Sequence, residues 1–284
     1  MSQSPGSQSS GSQSSRSQPE VPLRDASTVV LVRDGADGIE VFLQRRVKQM
    51  AFAGGMTVFP GGGVDDRDRD ADIRWAGPDV QWWADAFSAD VETARALVCA
   101  AVRETFEECG VLLAGSADSV VDDPSTLAHE RQRLVAKDLS FAEFLAAHEL
   151  VLRTDLLRPL SHWITPTNEV RRYDTRFFVA ELPAGQRADG ETTEAAATMW
   201  QTAAKALRDW ESGAHFLLPP TWSQLRDVAG FETVADLFGA QRTITPIQPD
   251  IADDAGLAGL RFADSAEYLS ALADGRMERM RDGR

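Results

Sequence analysis

Three glutamates crowd into five residues: Glu104, Glu107 and Glu108, within the run Arg103-Glu104-Thr105-Phe106-Glu107-Glu108-Cys109-Gly110-Val111. On a helix, residues three and four apart are surface neighbours, so these carboxylates share one patch. Each like-charge pair there costs roughly a few tenths of a kcal/mol in an isolated helix. Arg103, four residues before Glu107, offsets part of that repulsion. A hard divalent cation such as Mg²⁺ offsets more, because it prefers oxygen ligands. A lone Glu-Glu pair is ordinarily a solvated acidic face. Two features argue for metal chemistry instead. The cluster sits at the C-terminal end of its helix, where the dipole disfavours anions. A Gly-rich turn after a strand, Phe59-Pro60-Gly61-Gly62-Gly63, precedes it.

The helix itself is legible. Ala94, Leu97, Val98, Ala101, Val102 and Thr105 recur at i, i+3, i+4 spacing and predict a helix over 91–109. Gly110 stands where a left-handed C-terminal cap belongs. Upstream, 26–33 and 39–44 read as two strands of a hairpin with a Gly-rich loop. A short strand over 56–59 stops at the Gly-rich turn. Residues 64–90 are acidic and Trp-rich and read as an insertion with some helix of its own. Its tryptophans suit core packing or an oligomer contact, or stacking on an adenine ring. Downstream, 126–148 reads as helical, and 160–164 and 175–182 as strands. Residues 191–200 read as a loop leading into a short strand, and 202–212 as a helix. At least one more helix falls in 217–238. From Asp250 onward the pattern is weak and is expected to lie outside the core. Interleaved strands and helices imply helices packed on a mixed sheet, an α/β or α+β architecture. The expected division is a low-complexity tail over 1–22, one domain over 23–245 with its insertion at about 64–90, and a C-terminal extension over 246–284.

Composition narrows the function. The formal net charge of −15 argues against a nucleic-acid partner, which needs a basic face. It leaves a small phosphorylated substrate open, because a bound cation neutralises a diphosphate locally. Cys99 and Cys109 fall ten residues apart on one helix, about 15 Å along its axis. That is beyond disulfide reach and suits a reducing compartment. No apolar run is long enough to span a bilayer, so no membrane partner is expected. The Ser-, Gln- and Gly-rich start lacks the apolar stretch of a secretory signal and reads as a flexible tail. The final residues, Arg281-Asp282-Gly283-Arg284, carry no S-K-L-type peroxisomal signal, which favours the cytoplasm.

The segment RETFEECGV resembles the second half of the Nudix box, R-E-U-x-E-E-x-G-U, where U is aliphatic or aromatic. Arg103, Glu104, Glu107, Glu108 and Gly110 stand at its fixed positions, and Thr105 is a polar residue at the first U. The first half, G-x5-E-x7, departs. Counting back from Arg103 puts Arg95 at the Glu and Ala89 at the Gly, with Glu92 a weak substitute. The interruption, with MAFAGGMTVFPGG before it and WITPTNEVRRYDTRFFVA and LLPPTW after it, resembles a subgroup related to peroxisomal coenzyme A diphosphatases. The resemblance covers roughly 26–238. It implies a Nudix fold, a mixed β-sheet sandwiched between helices, with the insertion in the box and extra C-terminal helices. It implies Mg²⁺ or Mn²⁺ held by Glu104, Glu107 and Glu108. One of these, or Glu191 or Glu194 from a later loop, would activate water, and Arg103 would orient a carboxylate. Arg45, Arg46, Lys48, Gly62 and Arg172 are the candidate substrate contacts, although exposed strand-end charges explain the basic ones equally well. The implied substrate is a small nucleotide diphosphate derivative, first of all coenzyme A or acyl-CoA. A broader dinucleotide pyrophosphatase acting on ADP-ribose, NADH or FAD is a second reading, and a non-catalytic nucleotide sensor a third. Many relatives in the family form homodimers; nothing in the sequence forces one.

Overall fold

The computed structural model describes residues 21–47, 54–69, 73–192, 195–252 and 259–270. Strands β1 (Leu23–Gly35) and β2 (Gly38–Arg46) form the expected hairpin, with Gly35 opposite Gly38 and Val32 opposite Val41. Gly38 takes φ 114°, a conformation that L side chains rarely adopt. Strand β3 (Thr57–Val58) pairs with β2. The Gly-rich turn is itself a strand, β4 (Gly61–Gly63), lying antiparallel to the first half of β1 with Thr28 opposite Gly61.

The described residues of the insertion form local structure and pack into the core. They hold a 3₁₀ turn (Asp66–Arg69), β5 (Trp75–Ala76) and α1 (Val80–Phe87). Asp79 caps α1 by accepting from the Trp82 N–H. The helix then drives Trp83 and Phe87 against Phe178, with ring centroids 5.5 and 5.0 Å away. Of the uses open to these tryptophans, Trp83 takes core packing.

Helix α2 (Val91–Cys109) has the predicted limits. It is followed by β6 (Ala114–Gly115), α3 (Ala128–Val135) and α4 (Phe141–Ala147). The single helical stretch expected over 126–148 is thus two helices. The chain turns at Lys137, with φ 61°, and Ser140 starts α4 through a reciprocal capping box with Glu143. Strand β7 (Val151–Arg153) joins β5 and β6 in a small second sheet.

Strands β8 (Leu157–Ile164) and β9 (Arg172–Glu181) extend the main sheet beyond β1, and β10 (Ala195–Thr202) pairs with β2 at the opposite edge. Helices α5 (Ala203–Ser212), α6 (Pro219–Val228) and α7 (Val234–Gly239) follow. Strand β11 (Pro246–Ile247) then adds to the sheet edge, giving the order β10-β2-β1-β9-β8-β11 with β1 and β9 parallel. The sheet has two buried faces, which explains the unbroken apolar run in β1. Val29 and Leu31 pack with residues of α1, α2 and α4, while Val30 and Val32 pack with residues of α5, α6 and α7. A mixed sheet between helical layers is the fold expected from the sequence.

The segment beyond Asp250 departs from expectation. Strands β12 (Asp250–Ile251) and β13 (Leu260–Arg261) pair, and α8 (Ser265–Ser270) follows. Tyr268 is fully buried, stacks on Trp210 at 5.3 Å and donates its hydroxyl to Leu217 O at 2.9 Å. A few isolated apolar residues anchor this segment, so it carries no periodic signal. Among the described residues, no helix is long and apolar enough to cross a membrane.

Candidate active site

Helix α2 delivers the acidic cluster, and its C-terminal end is locked from several sides. The last four carbonyls of a helix have no partner within it. Here Gly110 N–H, in the left-handed conformation, bonds Phe106 O at 3.0 Å. Arg131 Nε donates to Glu107 O at 3.1 Å, and Gln44 Nε2 to Glu108 O at 3.4 Å. The Asp189 N–H takes Cys109 O at 2.9 Å. Arg131 is held in turn by both oxygens of Asp189, at 2.7 and 2.9 Å. A cation at this end also suits the helix dipole. Thr105 is buried without cost, because its hydroxyl donates to Ala101 O at 2.7 Å.

Arg103 organises the carboxylates. Its Nη1 donates to Glu104 Oε1 at 2.8 Å and Glu107 Oε1 at 3.4 Å. Its bidentate contact goes elsewhere: Nε and Nη2 donate to Asp68 Oδ1 and Oδ2 at 2.9 and 2.8 Å. Nη2 also reaches Gly63 O at 3.0 Å. Burial works against the Arg103 charge, but Asp68, Glu104 and Glu107 hold it protonated above its ordinary range. Burial pushes the Glu104 carboxyl up, and the charges of Glu107 and Asp68 push it further, against the pull of Arg103. Glu107 is raised as well, by burial first and then by Asp68.

Asp68 corrects the reading of the first half of the box. It stands six residues after Gly62, the G-x5-E spacing with Asp in place of Glu. Asp68 lies within the stretch read as the insertion, and the extra residues fall between it and Arg103, so counting back from Arg103 lands on Arg95 and Ala89 instead. Arg95 sits higher on α2, where its guanidinium lies 5.2 Å from the Trp75 ring. Glu92 is an exposed side chain paired with Arg69 at 3.6 Å.

Strand β4 packs directly on the acidic patch. The Gly61 N–H donates to Glu108 Oε2 at 2.9 Å. A Cβ at Gly62 would lie 2.5 Å from Glu104 Oε1, so glycine lets the backbone come this close without displacing that carboxylate. Glu104, Glu108, Gly62 and Arg46 all line a cavity of about 610 Å³, within the usual range for a ligand site. The expected residues do not all meet there. Glu107 turns to Arg103 instead. Arg45 is exposed on β2 and is absent from the cavity wall. Arg172 is buried, donates to Thr165 O at 3.3 Å and does not line the cavity either. Glu191 is exposed in its loop. Lys48 and Glu194 lie outside the described residues. Glu169, which the sequence did not single out, does line the cavity. Asp174 pairs internally, as its flanking arginines allowed: it hydrogen-bonds His162 Nε2 and forms an ion pair with Arg176. Burial works against its charge, but these partners hold its carboxyl below the usual range.

The donor set fits a hard divalent cation in chemistry. Around one guanidinium stand the carboxylates of Asp68, Glu104 and Glu107, and burial, with a smaller push from neighbouring carboxylates, raises the proton affinity of both glutamates. Among the described residues, no three His, Cys, Asp or Glu side chains converge closely enough to hold a metal ion as they stand.

The family model of the NUDT19 Nudix domain matches residues 81–228, just over half of the chain. The chain belongs to the NUDT19 Nudix domain family. Within it, the chain is similar to the Acyl-coenzyme A diphosphatase NUDT19 of Xenopus laevis, 25% identical over 236 residues. That alignment covers 70% of this chain and 62% of the relative. The Homo sapiens protein of the same description is 26% identical over 240 residues, covering 71% of this chain and 64% of the relative. The chain thus spans less than two thirds of the length of these curated relatives. A crystal structure of a NUDIX hydrolase from Alicyclobacillus acidocaldarius superposes with a TM-score of 0.66 at 27% identity, covering 78% of this chain and 98% of that one. The Nudix fold thus has its counterpart in this solved structure, and the Arg103–Gly110 segment lies within the residues matched by the family model.

Proposed function

We propose that the chain is a Mg²⁺- or Mn²⁺-dependent hydrolase that cleaves the diphosphate linkage of coenzyme A or an acyl-CoA. The observation that carries this reading is the cavity of about 610 Å³ whose wall joins Glu104 and Glu108 of α2 to the glycine strand β4. The relatives described as acyl-coenzyme A diphosphatases motivate the substrate. Glu104, Glu107 and Glu108 are the residues that would hold the cation. When bound, it would stabilise charge on the diphosphate oxygens and lower the pKa of water. Arg103 and Asp68 fix where these carboxylates stand. Gly61 and Gly62 let the backbone approach them, and the Gly61 N–H orients Glu108. Water attacks one phosphorus in line, and a carboxylate of the box or of the Glu191–Glu194 loop takes its proton. The products are 3′,5′-ADP and phosphopantetheine from CoA, or 3′,5′-ADP and the S-acylated phosphopantetheine from an acyl-CoA. The proposed site of action is the cytoplasm.

The test is a panel of CoA, acetyl-CoA, ADP-ribose, NADH and FAD with Mg²⁺ or Mn²⁺, products separated by chromatography. CoA and acetyl-CoA are expected to yield the phosphopantetheine product and 3′,5′-ADP, with no turnover in EDTA. Intact CoA beside cleaved NADH or ADP-ribose would replace this reading with the broader pyrophosphatase. Tight binding without cleavage of any member would replace it with a nucleotide sensor.

A further inference from the structure

The cavity has two unlike walls. Helix α2 and strand β4 supply the polar one. The other is apolar and comes from Trp163 of β8, Phe177 of β9, Leu218 and Pro219 at the start of α6, and Ile251 and Leu260. Ile251 and Leu260 face each other across the β12–β13 pair. Both lie beyond residue 228, where the match to the family model ends. Arg46 is the one Arg or Lys among the described lining residues, whereas Glu104, Glu108 and Glu169 all line the cavity.

The diphosphate of CoA carries two different groups. One is adenosine bearing a 3′-phosphate; the other is the pantetheine arm, uncharged and aliphatic where it meets the diphosphate. Enclosing a second phosphate beside three carboxylates and an apolar wall is costly. The pantetheine arm meets such a wall with its gem-dimethyl carbon and carries no charge to desolvate. We propose that the apolar wall takes the pantetheine arm, and that Ile251 and Leu260 determine specificity for it. This rests on the CoA reading above. It places part of the substrate choice in the C-terminal strands, outside the family-matched segment.

The experiment is steady-state kinetics of wild type, Ile251→Asp and Ile251→Phe with CoA and with ADP-ribose, which has no aliphatic arm. Ile251 is half-buried, and thermal unfolding checks each variant's fold. Should Ile251→Asp fail to fold, Ile251→Phe narrows the same wall while keeping it apolar. For CoA, KM is expected to rise about 10-fold with kcat within about 2-fold, the signature of lost uniform binding. Any turnover of ADP-ribose is expected to stay within about 2-fold of wild type. An unchanged KM for CoA in a folded variant would overturn the inference, as would equal losses on both substrates. A wild-type protein that leaves CoA intact refutes the proposed function itself, a result distinct from a wall that does not discriminate.

Discussion

Removing the Asp68 carboxylate strips Arg103 of its bidentate partner in a nearly buried place. Asp68 is 1% exposed and the Arg103 side chain 11%. Two charge-assisted hydrogen bonds, at 2.9 and 2.8 Å, would be lost. At about 1.5–3 kcal/mol each they sum to roughly 3–6 kcal/mol. Deleting one partner of a buried pair independently costs about 3–5 kcal/mol. Asp68→Ala should therefore destabilise by about 3–5 kcal/mol. At roughly 2–4 °C per kcal/mol for a domain of this size, Tm falls by about 6–20 °C. Asp68→Asn keeps one acceptor oxygen and should lose about half as much. Asp66→Ala, two residues away on the exposed side of the same turn, is the control and should leave Tm unchanged. Thermal and urea unfolding followed by circular dichroism measures all three. An Asp68→Ala protein melting with wild type would refute the assignment of Asp68 as the anchor of Arg103.

Gly62→Ala places a Cβ 2.5 Å from Glu104 Oε1 and forces that carboxylate to shift. The expected loss in kcat/KM is about 100-fold, because misplacements near 1 Å at a reacting centre cost that much. Wild-type kinetics in the folded variant would count against the close approach. Tyr268→Phe strands the buried Leu217 carbonyl and should cost about 1–3 kcal/mol in urea unfolding, with Tyr268→Ala at about 3–5 kcal/mol. Free-energy changes near zero would mean that α8 does not anchor the C-terminal segment. Both cysteines are fully buried, and burial pushes the Cys109 thiol up to about 12. The native protein should not react with a thiol reagent at neutral pH, and denaturation should expose two thiols; rapid labelling of the native state would contradict that burial.

Helix α2 was legible because its apolar period and its C-terminal Gly110 agree on its limits, and the structure adds Asp90 as its N-terminal cap. The glycine turn was legible as a turn, though not as a strand, since three glycines carry no β-propensity. Asp68 was hidden by the insertion. Counting back from Arg103 crosses a stretch of arbitrary length, whereas counting forward from Gly62 meets the carboxylate at the expected spacing. The break between α3 and α4 had a local signal, the Ser140-to-Glu143 capping box, beside an otherwise helical pattern. The residues that close the end of α2, Gln44, Arg131 and Asp189, are 64, 24 and about 80 positions from their partners, and only folding brings them there. The apolar wall had no sequence signal either, because Trp163, Phe177, Ile251 and Leu260 come from separate strands.

The most direct test of the metal-dependent diphosphatase reading is CoA hydrolysis with Mg²⁺ by wild type, Glu107→Gln and Glu108→Gln. A carboxylate that serves the cation contributes several kcal/mol to the transition state, so each variant should lose about 100-fold or more in kcat while keeping its fold. Wild-type turnover by a well-folded Glu108→Gln protein would contradict the account.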